Sequence, residues 1–304
     1  MMPLSRDLKM KRRIFLALSL GAGMLIAQMA GVVGFASQYT PATPEWNKPV
    51  KAFRVIGNIY YVGASEVSSF LITTPKGHIL LDSGFTETVP LIQDSVKQLG
   101  FDLRDVKVLI NSHAHYDHAA GLAQLKELTG ASLAVSEADA ELLANGGRDD
   151  PQWGDRFSFR PVTADRFIRD NDKIELGAVI MTARLTPGHT KGCTTWTMSV
   201  NEGGRQYDVV FLGSTTAPEY RLVDNPRYPD IAADYASTFR RLRSLPCDVF
   251  LGPHGSFFSL EEKRKRLGQK INPFIDSKGY LRFIAQTEKA FRERLEKQQS
   301  SKSR

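Results

Sequence analysis

Cysteine is almost missing from this chain: among 304 residues only Cys193 and Cys247 occur. Two cysteines cannot build a disulfide framework, so the fold has to be held by its hydrophobic core. Whether these two pair with each other is left open by the sequence. A large charge excess is missing too. The formal charge is +7, but residues 1–36 hold five basic side chains against Asp7 alone. That segment is therefore +4 and the remainder only +3, which removes the main compositional support for nucleic acid binding. With 42% apolar and 24% charged residues the chain is neither disordered nor fibrous, and its length suits one large domain or two modest ones.

What is present begins with an export signal. Lys9-Met10-Lys11-Arg12-Arg13 runs into an apolar stretch from Ile14 that closes on Gly34-Phe35-Ala36. A basic region, an apolar run and a small-x-small end are the parts of a secretory signal peptide. Gly21, Gly23 and Gln28 interrupt the run and weigh against a retained membrane anchor. No cysteine follows it, which excludes a lipoprotein. Cleavage after Ala36 is expected, leaving one exported, periplasmic domain over 37–304 with no stable membrane association.

The rest of the chain shows two halves of similar grammar, about 50–175 and 176–290. Residues 39–50, with Pro41, Pro44 and Pro49, read as a linker or lid arm. In the first half, Ala52–Val62, Ser68–Thr74, His78–Asp82, Val106–Ile110 and Ser132–Ser136 are predicted strands, and Thr86–Gly100, Ala119–Leu128 and Glu137–Ala144 helices. The second half has strand-like Lys173–Leu176, Val179–Leu185, Thr194–Val200, Asp208–Leu212 and Cys247–Leu251. Its helical stretches are Tyr235–Ser244, Leu260–Leu267 and Gly279–Arg294. Strands meander first, then alternate with helices, in both halves. This implies an α/β protein of αββα type, two mixed β-sheets packed together and flanked by helices. The polar end from Glu296 to Arg304 reads as a frayed tail.

Histidine is scarce, and its placement carries the functional information. Of six histidines, three lie in Ser112-His113-Ala114-His115-Tyr116-Asp117-His118. Two more follow Gly or Pro, in Pro187-Gly188-His189 and Gly252-Pro253-His254, and each cluster sits at the carboxyl end of an apolar strand. In extended chain, residues i and i+2 point the same way, so His113 and His115 can grip one ion together. The turn toward the helix near Ala119 can direct Asp117 and His118 at a second. Imidazole and carboxylate suit Zn²⁺. His78 stands in a strand with no histidine or acid beside it in sequence and reads as a core residue.

His113-x-His115-x-Asp117-His118, followed by Gly188-His189 and Gly252-Pro253-His254, resembles the metallo-β-lactamase superfamily over about residues 50–290. The resemblance implies two Zn²⁺ per chain, one held by His113, His115 and His189, the other by Asp117, His118 and His254. It also implies that Asp82, in Leu80-Leu81-Asp82-Ser83-Gly84, supports the metal loop without binding metal. The branch is decided at Gly213-Ser214-Thr215-Thr216. Lactonases and thioesterases of the superfamily place a bridging Asp at this strand end, and another lactamase subclass a Cys, where this chain has Ser214. That pattern, with Ala217–Leu222, Asn225–Pro229 and Gly255–Phe258, resembles the third subclass of class B β-lactamases.

The activity implied is hydrolysis of penicillins, cephalosporins and carbapenems by a zinc-bound hydroxide, with Asp117 fixing its geometry. Ser214 and Thr216 would bind the substrate carboxylate, and Tyr220 would donate to the developing oxyanion. A serine β-lactamase is excluded, because Ser-x-x-Lys does not occur beside the Ser-Asp-Asn and Lys-Thr-Gly elements such an enzyme needs. Two other readings stay open: a superfamily lactonase or thioesterase, and an exported zinc-binding protein without catalysis. The partner expected is a small β-lactam. The oligomeric state is not legible, and a monomer is expected.

Overall fold

The runs Gly77-His78-Ile79-Leu80-Leu81 and Val106-Lys107-Val108-Leu109-Ile110 carry apolar residues toward both faces, which only a sheet covered on both sides can use. The computed structural model describes residues 43–302, which form one compact unit, and it covers these strands on both sides. The expected signal segment 1–36 lies outside the described residues.

Seven strands build the first sheet in chain order: β1 (Phe53–Ile56), β2 (Ile59–Tyr61), β3 (Phe70–Thr74), β4 (Gly77–Leu81), β5 (Val106–Ile110), β6 (Ser132–Ser136) and β7 (Arg166–Ile168). From β1 to β4 the pairs are antiparallel, and from β4 to β7 parallel. The second sheet has the order β12-β11-β10-β9-β8, made of β8 (Lys173–Leu176), β9 (Val179–Leu185), β10 (Thr194–Glu202), β11 (Arg205–Phe211) and β12 (Val249–Leu251). Here β8 to β11 are antiparallel and β12 joins β11 in parallel. Each half of the sequence thus makes one mixed sheet.

Period-two alternation divides the side chains between layers. Phe70, Ile72, Ile79 and Leu81 face Trp196, Met198, Val209 and Phe211 across the space between the sheets. Leu71, Leu80, Leu109 and Leu133 point the other way, onto α2 (Val89–Gln98) and α4 (Leu122–Thr129), with α5 (Glu137–Ala144) beyond. The second sheet is covered by α6 (Ile231–Ser244) and α8 (Ser277–Lys302), where Phe250 meets Tyr280 and Tyr235 stacks on Phe291. Short helices α1 (Thr43–Trp46), α3 (Tyr116–Ala119) and α7 (Leu260–Lys265) complete the fold. Burying such faces at roughly 25 cal/mol per Å² is the main stabilising term, as two unpaired cysteines require.

Three sequence expectations change. Ala52–Val62 is a hairpin rather than one strand: Gly57 takes φ 52 and folds β1 back so that Phe53 pairs with Tyr61. Strand β7 escaped notice because it is three residues long, with Arg166 and Phe167 exposed. The end from Glu296 is not frayed but continues α8 through Lys302, because Gln298 and Arg294 find backbone partners at Tyr220 to Val223.

Candidate metal centre

The topology brings the strand ends to one rim. Strand β5 runs parallel to β4, with Ile110 beside Leu81, so the loop after β5 starts next to Asp82. Strands β9, β11 and β12 share a direction, because β9 and β11 are each antiparallel to β10 and β12 is parallel to β11. Their carboxyl ends lead to His189, Ser214 and His254. The two sheets are then stitched at this rim. Thr194 N–H donates to Ser112 O at 2.7 Å, Trp196 Nε1 to Asn111 O at 3.0 Å, and Ser68 N–H to Pro253 O at 2.8 Å.

Six side chains converge there in two groups. Donor atoms of His113, His115 and His189 lie within 4.8 Å of one another, His115 Nδ1 being 3.0 Å from His189 Nε2. In the second group Asp117 Oδ2 is 3.2 Å from His118 Nε2 and 3.6 Å from His254 Nε2, and those two nitrogens are 3.2 Å apart. The rings of His113 and His118, one from each group, are 4.4 Å apart between centroids. His78 is elsewhere, buried edge-on against Phe101.

The donor set fits zinc. Burial and the neighbouring His118 hold His113 well below the ordinary imidazole range; burial and His115 do the same for His189. Burial and His118 bring His254 down to about 3. Neutral imidazoles present lone pairs, and a pair so close can share at most one proton. His113 Nε2 has no hydrogen-bond partner at all despite complete burial. Asp117 is opposed by its own burial but held ionised by His118 and His254, so its carboxyl lies well below the usual range. Three imidazole nitrogens in one group and two imidazole nitrogens with one carboxylate in the other are zinc-type coordination sets.

Around these groups the structure supplies further partners: Asp82, expected from the resemblance, and others that sequence spacing could not identify. Asp82, with φ 61, accepts Ser112 N–H at 2.7 Å and Asn111 Nδ2 at 2.9 Å from beneath the loop, and burial raises its pKa to about 6. Asp150 Oδ2 stands 3.2 Å from His115 Nε2, and Glu66 Oε1 3.7 Å from His254 Nδ1. His189 Nδ1 lies 2.7 Å from Thr216 O, which also accepts from Tyr235. No motif links Asp150, Glu66 or Tyr235 to the histidines; only the fold joins them.

A cavity of about 470 Å³ opens over both groups, walled by Trp46, Trp153 and Phe157. Thr216 lines it, whereas Ser214 is 1% exposed and sits behind, its Oγ 3.4 Å from Thr216 Oγ1. The Tyr220 ring stacks on His189, and its hydroxyl donates to His189 O at 3.2 Å. The hydroxyl so placed braces His189, and Tyr220 also lines the cavity. Cys193 is buried and free, 3.7 Å from Ser214 O, and Cys247 is free as well.

Known proteins agree with this geometry. Residues 62–254 match the family model described as the metallo-beta-lactamase superfamily. The native FEZ-1 metallo-β-lactamase of Legionella gormanii is 43% identical, with a TM-score of 0.82 over 83% of this chain and 98% of that one. LRA-12, a class B3 di-zinc metallo-β-lactamase from an Alaskan soil metagenome, is 35% identical, with a TM-score of 0.78 over 84% and 98%. A more distant relative is the human acyl-coenzyme A thioesterase MBLAC2, 26% identical over 61% of this chain and 70% of that protein. The chain spans between 55% and 70% of the length of the first curated relatives it matches. With two histidine-rich groups at one rim of a two-sheet sandwich, and the family model matching from Val62, just after β2, to His254, the chain belongs to the metallo-β-lactamase superfamily.

Proposed function

We propose that this protein is a periplasmic di-zinc β-lactamase of the third class B subclass. One zinc would be held by His113, His115 and His189, the other by Asp117, His118 and His254. The observation that carries the reading is the end of β11. At the strand end where a bridging carboxylate would mark a lactonase or thioesterase, this chain has hydroxyls instead, Thr216 lining the cavity and Ser214 behind it. The 43% identity to a β-lactamase, against 26% to a thioesterase, supports the same choice.

Two zinc ions held in these groups would supply Lewis acidity and would activate a water at neutral pH. The chain's own residues then have separate tasks. Thr216 offers its hydroxyl to the substrate carboxylate, and Ser214 orients that hydroxyl from behind. Thr216 O and Tyr220 fix the His189 ring, so its Nε2 stays turned toward the first group. Asp117 keeps a charged oxygen between the two imidazoles of the second. The aromatic wall of Trp46, Trp153 and Phe157 excludes water and packs the variable side chains of the antibiotic. The lactam amide and its carboxylate are shared by penicillins, cephalosporins and carbapenems, so all three are substrates.

The test is loss of carbapenem ultraviolet absorbance with the full chain, with and without a chelator, beside a lactone and a glutathione thioester. Chelator-sensitive turnover of the carbapenem is expected. Efficient turnover of the lactone or thioester with no β-lactam hydrolysed would replace this reading. Export is supported by the basic-then-apolar composition of residues 1–36, and N-terminal sequencing of periplasmic material checks it.

A further inference from the structure

Ser136-Glu137-Ala138-Asp139 opens α5 with the spacing of a capping box, in which the fourth residue would normally turn back to the first residue's N–H. Only half of that box forms. The Ser136 hydroxyl accepts Asp139 N–H at 3.2 Å, but the Asp139 carboxylate points away from the helix end. Its Oδ2 accepts Ala114 N–H at 3.0 Å and the Thr190 hydroxyl at 2.7 Å; its Oδ1 accepts Gly192 N–H at 2.7 Å. Ala114 lies between His113 and His115, and Thr190 follows His189. One buried carboxylate is therefore bonded to chain adjoining all three imidazoles of the first group, although those imidazoles come from different sheets. A second observation shows that the approach is specific. A Cβ at Gly192 would fall 2.5 Å from Asp139 N, 2.7 Å from its carboxylate carbon and 1.9 Å from Ser136 Oγ, so only glycine admits this contact.

We infer that Asp139 is a positioning residue for the first metal site, a clasp that sets the distance between the His113–His115 loop and the His189 loop. The inference rests on the reading that these histidines bind zinc. An acceptor-only group is needed, because three donors converge on two oxygens. A neutral amide of the same shape must turn a donor against at least one of them.

The experiment titrates zinc into the full metal-free chain against a chromophoric chelator, for wild type, Asp139→Asn, Gly192→Ala and Thr190→Val, with the melting temperature of each metal-free protein recorded alongside. Asp139→Asn should weaken the first zinc by about 10- to 100-fold, the usual cost of losing a partner behind a metal ligand. The second zinc should keep its affinity. Gly192→Ala should act in the same direction. Thr190→Val, which removes one hydroxyl and leaves the carboxylate in place, should weaken the first zinc by roughly 2- to 10-fold. If Asp139→Asn does not fold, Thr190→Val decides. Equal weakening of both zincs, or a lower metal-free melting temperature with unchanged zinc affinities, would reduce Asp139 to an ordinary structural residue and overturn the inference. Wild-type protein that binds no zinc would instead overturn the metal reading itself.

Discussion

The two groups of the metal centre differ in how their imidazoles are held. In the first, each ring nitrogen that faces away from the group has a near partner: Ser112 Oγ at 3.0 Å from His113 Nδ1, Asp150 at 3.2 Å from His115 Nε2, and Thr216 O at 2.7 Å from His189 Nδ1. In the second, the corresponding nitrogens stand off from their carboxylates, His118 Nδ1 at 4.0 Å from Asp82 and His254 Nδ1 at 3.7 Å from Glu66. The first group is therefore braced more closely by its surroundings than the second. Superfamily members share the motif, but affinity at each site depends on these partners, which the motif does not contain.

The largest effect expected from this contrast is on His189→Ala. Removing a ligand from the better-ordered group should take the zinc content from two to one and lower kcat/KM by roughly 10³-fold, the several kcal/mol of Lewis-acid stabilisation at 1.36 kcal/mol per decade. Elemental analysis and steady-state kinetics check both. Wild type holding one zinc when fully loaded would remove the dinuclear assignment.

Stepwise release comes next in size. During dialysis against a weak chelator the second group should empty first, with an affinity about 10- to 100-fold below the first, because its imidazoles lack close orienting partners. Zinc content followed over time, in wild type and in His189→Ala, tells which site empties. Simultaneous loss of both ions would mean that the unequal spacing has no energetic consequence.

The fold and the histidine groups were legible because both depend on local rules. Strand runs and strand-end loops follow from alternation and from Gly-Pro punctuation, and His-x-His-x-Asp-His needs only the geometry of extended chain leading into a helix. What was not legible depends on long-range contact. Asp150 lies 35 residues after His115 in a loop with no periodic pattern, and nothing in sequence measures its approach to that ring. Asp139 was hidden behind a local role, the start of α5. The hairpin at Gly57 and the three-residue β7 were missed because short elements are set by pairing rather than by propensity. The polar end after Glu296 looked solvated because helical content there comes from partners on a different segment, not from an apolar stripe.

A smaller effect separates the two hydroxyls beside the groups. Thr216 lines the cavity and Ser214 stands behind it, so Thr216→Val should raise KM for a penicillin by up to about 10-fold, the worth of one hydrogen bond to a charged group. Ser214→Ala should raise it by about 2- to 3-fold, through loss of orientation only, with both zincs retained. The reverse ranking would place Ser214 in direct contact with the carboxylate, and loss of the second zinc in Ser214→Ala would mean that the ligand set is misassigned.

The smallest effect concerns the far end of α8. The Gln298 amide donates to Tyr220 O at 2.7 Å and accepts from Leu222 N–H at 2.8 Å and Val223 N–H at 3.3 Å, so it reads that segment as a neighbouring strand would. Tyr220 in turn braces His189 of the first group. In Gln298→Ala, water can reach the freed backbone groups from the adjoining groove, so the cost is about 1 kcal/mol and a fall in Tm of roughly 2–4 °C. The kinetic signature is the sharper one. A loosened Tyr220 should lower kcat about 2-fold at limiting zinc and leave it unchanged at saturating zinc, because the first group still closes once its ion is supplied. Gln298→Glu keeps the two acceptor contacts and loses only the donor to Tyr220 O, so it should fall between wild type and alanine. A zinc-independent change in kcat would mean that α8 acts on the cavity wall directly and not through His189.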